Sequence, residues 1–372
     1  MDQDATSQKL QETILPVFPQ LTPADVLACQ CSSWYPTFDK ITIKSKIIKP
    51  LPAEFLEYLE ADTVSIPEGS EDAVPVTELS DEDSDSEKGD EDDDDPHSSS
   101  LRKYAFPALD AQIREAISTF GAVFPKLNWT SPQDASWILA PSSPLKCTSP
   151  ADVYLFLKSS DFVVHDLSPD MVFEGCSLED DRPHDAKPIG KPKYQVELVL
   201  KKWFAIDKSR ELRCFVRDDT LIGACITQRD PNYYEFLNEP KTHESIPKAV
   251  LDFWEHKIRN TWLGGQSYAF DILLTRDLQR ANLIDFNPYA PRTDPLLFTS
   301  TPPIPRCAPP EFRVITSRTH PRATRNAPQH SHNMVPREAL ELSAGQNILD
   351  FQGAWAEELA RAMADDETTR AA

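Results

Sequence analysis

The sequence has 372 residues, 40% of them hydrophobic, and a formal charge of −22. That length suits one large or two ordinary domains. The absence of any run of about 18 apolar residues argues against a membrane span, and the net acidity argues against tight binding to bare nucleic acid, which needs a basic face for phosphates. The charge is lopsided: residues 68–95 hold 15 acidic residues and one lysine, so they carry −14 and the rest of the chain only −8.

Residues 1–62 read as a folded segment. The start, MDQDATSQKL, lacks the apolar core of a signal peptide, so a soluble, cytoplasmic protein is expected. In TPADVLAC, Thr22 is placed as N-cap, Pro23 at the first helical position and Asp25 in the first turn. Residues 41–48, ITIKSKII, alternate like a strand, and LPAEFLEYLE reads as a short helix. The aromatics of CSSWYPTF, Trp34, Tyr35 and Phe38, read either as packing against a neighbouring lobe or as an exposed partner anchor.

Residues 63–100 lack apolar periodicity and read as a disordered acidic insert. Ser80 and Ser84 precede acids by three residues, the pattern of acid-directed phosphorylation; an unmodified solubilising loop is the alternative.

The main body runs from 101 to about 300. Leu109, Ile113, Ile117 and Phe120 lie at helical spacing, and AVFPKLN follows as a strand. SPQDASWI and SPADVYLFLKSSD each open as helices, with Ser-Pro before an acid. After an irregular loop over 168–192 come three strands, QVELVLKKWF, ELRCFVRD and TLIGACITQRD, with a turn at Asp218-Asp219-Thr220. A helix over 246–262 is expected, capped by Ser245, with Trp254, Ile258 and Trp262 on one face. Two strands, SYAFDILLT and NLIDFN, end the body. Residues 301–335, rich in proline and arginine, read as a mobile linker, and 336–372 as a helical tail with Ile348, Phe351, Trp355 and Leu359 in register.

The two last strands of the body carry chemistry. Alternation puts Leu283, Asp285 and Asn287 on one face of NLIDFN, and Asp271 on the polar face of SYAFDILLT. Antiparallel pairing through 275–281 brings Asp271 near Asp285. Two carboxylates and an amide oxygen suit Mg²⁺, above all when phosphates complete its shell; a plain solvated face is the bland reading. Cations stand on other strands: Lys126, with Asn128 on its face; Lys201 and Lys202 beside Trp203; and Arg213 and Arg217 flanking Phe215.

Other chemistries find no support. P-loop and dinucleotide glycine motifs, a G-x-S-x-G elbow and an H-E-x-x-H pair are all absent from the sequence. The seven cysteines are scattered; only Cys29 and Cys31 are close, without a zinc set, and reduced, packed thiols are expected.

Several stretches resemble the cell-division-cycle 123 proteins, assembly factors of eukaryotic translation initiation factor 2. They include SSWYPTF, FPKLNWTSPQDASWI, ELVLKKWF, LIGACITQRD, FDILLTRDLQRANLIDFNPY and TDPLLFT. The resemblance implies an α/β (α+β) ATP-grasp fold, with 101–192 as a first lobe joined by 1–62, and 193–300 as a second lobe. ATP and Mg²⁺ would sit between antiparallel sheets. It makes Asp271, Asp285 and Asn287 magnesium ligands and Lys126 a phosphate-contacting lysine. Lys201 to Trp203 become the strand lining the adenine pocket, and Arg213 a phosphate-side arginine. Arg229 and Asp230 match the family pattern without an assigned role.

The link from Asp271 to Asp285 is about one residue longer than the family pattern leads one to expect. The partner implied is the gamma subunit of initiation factor 2, bound by a chain that is a monomer until then; no nucleic acid or membrane is involved, and ATP turnover is not implied. Alternatives are an ATP-grasp ligase working through an acyl phosphate and a scaffold whose acidic insert holds basic partners.

Overall fold

The computed structural model describes residues 18–61, 65–71, 103–136, 138, 143–177, 192–298 and 311–323. The expected disorder over 72–100, Ser80 and Ser84, Cys307 and the helical tail over 336–372 lie outside the described residues.

Helix α1 (Pro23–Ala28) begins at the N-cap read from the sequence, and the structure adds a capping box: Asp25 N–H donates to Thr22 Oγ1, and Thr22 N–H donates to Asp25 Oδ2 at 3.0 Å. Then come α2 (Cys31–Phe38), β1 (Ser45–Ile48), α3 (Ala53–Glu60), α4 (Pro107–Phe120) and β2 (Val123–Lys126). Helices α5 (Pro150–Lys158), α6 (Asp161–Leu167) and α7 (Pro169–Val172) precede β3 (Leu198–Lys202), β4 (Glu211–Arg217) and β5 (Thr220–Gln228). Helix α8 (Pro240–Phe253), β6 (Tyr268–Leu274), β7 (Ala281–Pro288) and β8 (Glu311–Arg313) follow.

Two sheets result. The smaller has order β1-β3-β2 with both pairs antiparallel, and the larger has order β7-β6-β4-β5-β8. In the larger sheet only the β5–β8 pair is parallel. This is the mixed α/β, two-sheet architecture that the resemblance implies. Strand β3, counted in sequence with the second lobe, is the central strand of the small sheet.

Each sheet has its own core. Leu198 and Leu200 of β3 pack with Phe55, Tyr58, Ile113, Tyr154 and Phe156 from α3, α4 and α5. Cys214, Phe270, Ile272 and Phe286 of the larger sheet pack with Ile246, Val250 and Trp254. Val199 and α2, through Trp34 and Phe38, belong to that second cluster, so apolar burial ties the small sheet to the large one.

Several local expectations change. CSSWYPTF is helix α2, and its aromatics are mostly packed: Trp34 and Phe38 lie 5.4 Å, centroid to centroid, from the Phe286 ring. Only 45–48 of ITIKSKII joins the ladder. SPQDASWI yields one 3₁₀ turn, Gln133–Ala135, where the buried Asp134 carboxylate accepts from Ser160 Oγ and Asp161 N–H. Helix α8 starts at Pro240, whose fixed φ suits a first helical position, so Ser245 is internal; the helix passes into a π-turn over Trp254–Ile258, and Trp262 lies beyond it.

Two stretches read as unstructured are partly folded. Within the acidic segment Ser70 is fully buried, and Gly69 O accepts from Arg114 at 2.6 Å. Within the proline- and arginine-rich stretch, β8 adds an edge strand and Phe312, Val314 and Ile315 are buried. Their apolar alternation was masked by the surrounding prolines.

Candidate functional site

The site lies where the small sheet meets the β6–β7 hairpin. Asp271 stands directly opposite Asp285 in the ladder, and Arg213 opposite Asp271 on the other side. The register then slips: Ile272 pairs with Leu283, which leaves Ile284 as a bulge in β7. This bulge takes up one residue of the link between the two aspartates. It also corrects the expected facing of Leu283, which turns to the apolar side with Phe286 while Asp285 stays on the polar side.

The bulge serves the site a second time. The Ile284 carbonyl, outside the regular ladder, accepts a hydrogen bond from Lys201 Nζ at 2.7 Å. Lys126 Nζ, at the end of β2, is ion-paired with Asp285 Oδ2. Two lysines of the small sheet thus reach the same edge of the large one.

Asp271 is held by guanidinium groups. Arg213 donates to both its oxygens, at 2.8 and 2.9 Å, and Arg229 donates to Oδ2 at 2.6 Å. Arg229 also pairs with Glu211 at 3.2 Å, and Arg213 donates to Asp294 O at 3.0 Å. Four cations and three carboxylates therefore crowd one largely buried place, an excess of positive charge in a chain that is acidic as a whole.

Burial and partners set the protonation. Burial opposes charge on Asp271, but Arg213 and Arg229 outweigh it and hold its carboxyl below the usual range. Burial likewise opposes charge on Lys126, yet Asp285 holds its ammonium above the ordinary value. Lys201 goes the other way: burial, reinforced by Lys126, pushes its pKa down despite Asp285. Burial lifts the carboxyl of Glu211. Nearby Cys31 is a poor nucleophile, its thiol pushed up by burial to about 11.

The other expected residues lie close by with different surroundings. Asn128 is fully buried and spent on backbone: its amide donates to Gln195 O at 2.8 Å and accepts from Glu197 N–H at 2.9 Å. Lys202, next to Lys201 along β3, points to the opposite face and is exposed. Trp203 donates from Nε1 to Pro144 O at 3.1 Å. Asn287 is half-buried, opposite Ala269. Two residues along β6 from Asp271, Leu273 lines a cavity of about 230 Å³ with Ala205, Asp207 and Asn282.

Sequence reading passed over Glu211 and left Arg229 without a role. The alternation Glu-x-Arg in ELRCF carried the signal for the first, since Glu211 shares a face with Arg213. For the second, only the pairing of β5 with β4 brings TQRD to the site. Among the described residues no group of three or more His, Cys, Asp or Glu side chains is placed to hold a metal by itself, and no helix is long and apolar enough to cross a membrane.

Comparison with known proteins places the chain in a family. The family model D123 matches residues 34–343. A translation initiation factor eIF2 assembly protein of Schizosaccharomyces pombe is 38% identical over 339 residues, covering 90% of this chain and 96% of that protein. One of Botryotinia fuckeliana is 36% identical over 364 residues, covering 88% and 85%. The solved structure of Cdc123 from Schizosaccharomyces pombe superposes with a TM-score of 0.60 at 37% identity, over 80% of this chain and 98% of that one. By sequence and by fold, this chain belongs to the D123 family.

Proposed function

We propose that the chain is an assembly factor for the initiation factor eIF2: it binds ATP with Mg²⁺ between its two sheets, as ATP-grasp proteins do, and holds the gamma subunit for formation of the heterotrimer. The observation that carries the ATP half is the gathering of Lys126, Lys201, Arg213 and Arg229 around Asp271, Asp285 and the Ile284 carbonyl where the two sheets meet. The partner half rests on the relatives, which are named for eIF2 assembly.

The residues fit the ligand. A triphosphate brings acceptor oxygens for buried cations that are in excess over their carboxylates. Lys126 and Lys201 are suited to phosphate oxygens, with Arg213 and Arg229 behind them. Asp285 and Asn287, with Asp271, supply the hard oxygens that Mg²⁺ prefers. The bound ion would neutralise phosphate charge. The base would enter beside the exit of β3, near Trp203 and the cavity at Leu273, with Lys202 contributing backbone only. Asn128 shapes the site by fixing the approach of residues 195–197 to β2. In this reading the protein works in the cytoplasm, in support of translation and the cell cycle, as a monomer until it meets its partner.

The test is a pull-down from cell lysate with the purified chain as bait, with and without ATP·Mg²⁺. Recovery of the eIF2 gamma subunit is expected, reduced with an Asp285→Ala bait. Absence of any eIF2 subunit would remove the partner half.

A further inference from the structure

The oxygens suited to a metal are already in use by the chain's own cations. Asp285 Oδ2 holds Lys126 Nζ, and its Oδ1 accepts the Phe286 N–H at 3.1 Å. Both oxygens of Asp271 hold Arg213, and one also holds Arg229. The Lys126 side chain is 2% exposed, against 17% for Asp285, so Lys126 cannot turn to water if its partner is taken. Its neighbour Lys201 is another buried cation, not a substitute partner.

A bare divalent cation arriving at Asp285 would therefore add two positive charges beside four, and would strand a buried ammonium. Breaking a buried ion pair by removing one partner is strongly destabilising, because it leaves the other charge uncompensated. Polyphosphate reverses the balance. Its oxygens can accept from Lys126 and Lys201, and that exchange releases the Asp285 carboxylate for a metal.

Resting on the nucleotide reading above, we propose that Lys126 is an internal stand-in for the metal at Asp285, so that the divalent cation enters only with, or after, the nucleotide's phosphates. The ion pair then makes metal uptake conditional on nucleotide. It also links β2 to β7, so the same exchange alters the connection between the two sheets.

Equilibrium dialysis of the full chain with Mn²⁺ as the probe tests this, with and without ATP. Only the uptake abolished by Asp285→Asn is read, which removes Mn²⁺ held by the acidic segment. The wild type should take up Mn²⁺ at this site at least about tenfold more tightly with ATP than without, and Lys126→Gln should take it up without nucleotide. Wild type binding Mn²⁺ equally well without ATP would overturn the inference, whatever the variant does. So would a Lys126→Gln protein with native circular dichroism that still requires ATP for Mn²⁺. If the wild type takes up no site-specific Mn²⁺ even with ATP, the nucleotide reading falls and this inference with it.

Discussion

Asp271 and Asp285 face each other across the β6–β7 ladder, yet each carboxylate belongs to a different set of cations. Asp271 is clamped by Arg213 and Arg229 inside the larger sheet, whereas Asp285 reaches across to Lys126 of the small sheet. The first is a fixed element of the fold. The second, with the Lys201–Ile284 carbonyl bond beside it, joins the two sheets at the site.

Asp271→Asn should therefore be costly to the fold. It leaves the buried Arg213 guanidinium without its counter-charge and the partly exposed Arg229 with Glu211 alone, and breaking a buried pair is worth about 3–5 kcal/mol. Chemical denaturation of the variant should register a loss of that order. A loss below about 1 kcal/mol would mean that the clamp contributes little.

The same residue should shape the acid limb of stability. Its folded pKa lies below its unfolded value of about 3.9, so its contribution is full above that pH and is lost as pH falls through the folded value. Glu211, lifted by burial, acts oppositely: its charge is a burden that acid relieves as pH falls through its raised folded value. The difference between wild type and Asp271→Asn isolates the first effect. It should shrink as the pH is lowered below about 4, which pH-dependent unfolding curves would show.

Asn128→Ala should behave as a packing and hydrogen-bond lesion. It orphans Glu197 N–H in a buried place, at about 1–3 kcal/mol for a buried unsatisfied group, and removes the partner of the more exposed Gln195 O. Thermal unfolding should drop clearly, while ATP affinity of the folded fraction should fall less than in Lys126→Gln.

Phe286→Ala separates the two faces of β7. The ring stacks on Trp262 with centroids 4.1 Å apart and packs against Trp34, Phe38 and Phe270. Truncating a buried phenylalanine costs about 3–5 kcal/mol. Destabilisation of that size, measured by denaturant unfolding, is expected from Phe286→Ala while the Lys126–Asp285 pair on the other face stays intact.

Much of this was legible in the sequence because β3 and β6 are continuous apolar runs and β4 alternates, and because the polar face of the last hairpin is short and distinctive. The pairing of Asp271 with Asp285 followed from strand length and link alone. What was not legible was the bulge. Strict alternation assigns Leu283 to the polar face, and only the ladder reveals that Ile284 is set aside. Helix α2 was hidden by Pro36 and its aromatics, which favour extended structure in isolation but are held in a helix by packing on Phe286. The clamp on Asp271 depends on the β4–β5 hairpin meeting β6 much further along the chain, so no local pattern announces it.

The proposed role of the cations gathered at the site is to bind ATP·Mg²⁺. Titration calorimetry of the full chain with ATP·Mg²⁺, for wild type and for folded Lys201→Met and Asp285→Asn, tests it most directly. Lys201 and Asp285 lie on different sheets, so both variants should weaken binding by at least about tenfold, equivalent to about 1.4 kcal/mol. Equal affinity in all three proteins, or no heat with the wild type, would contradict it.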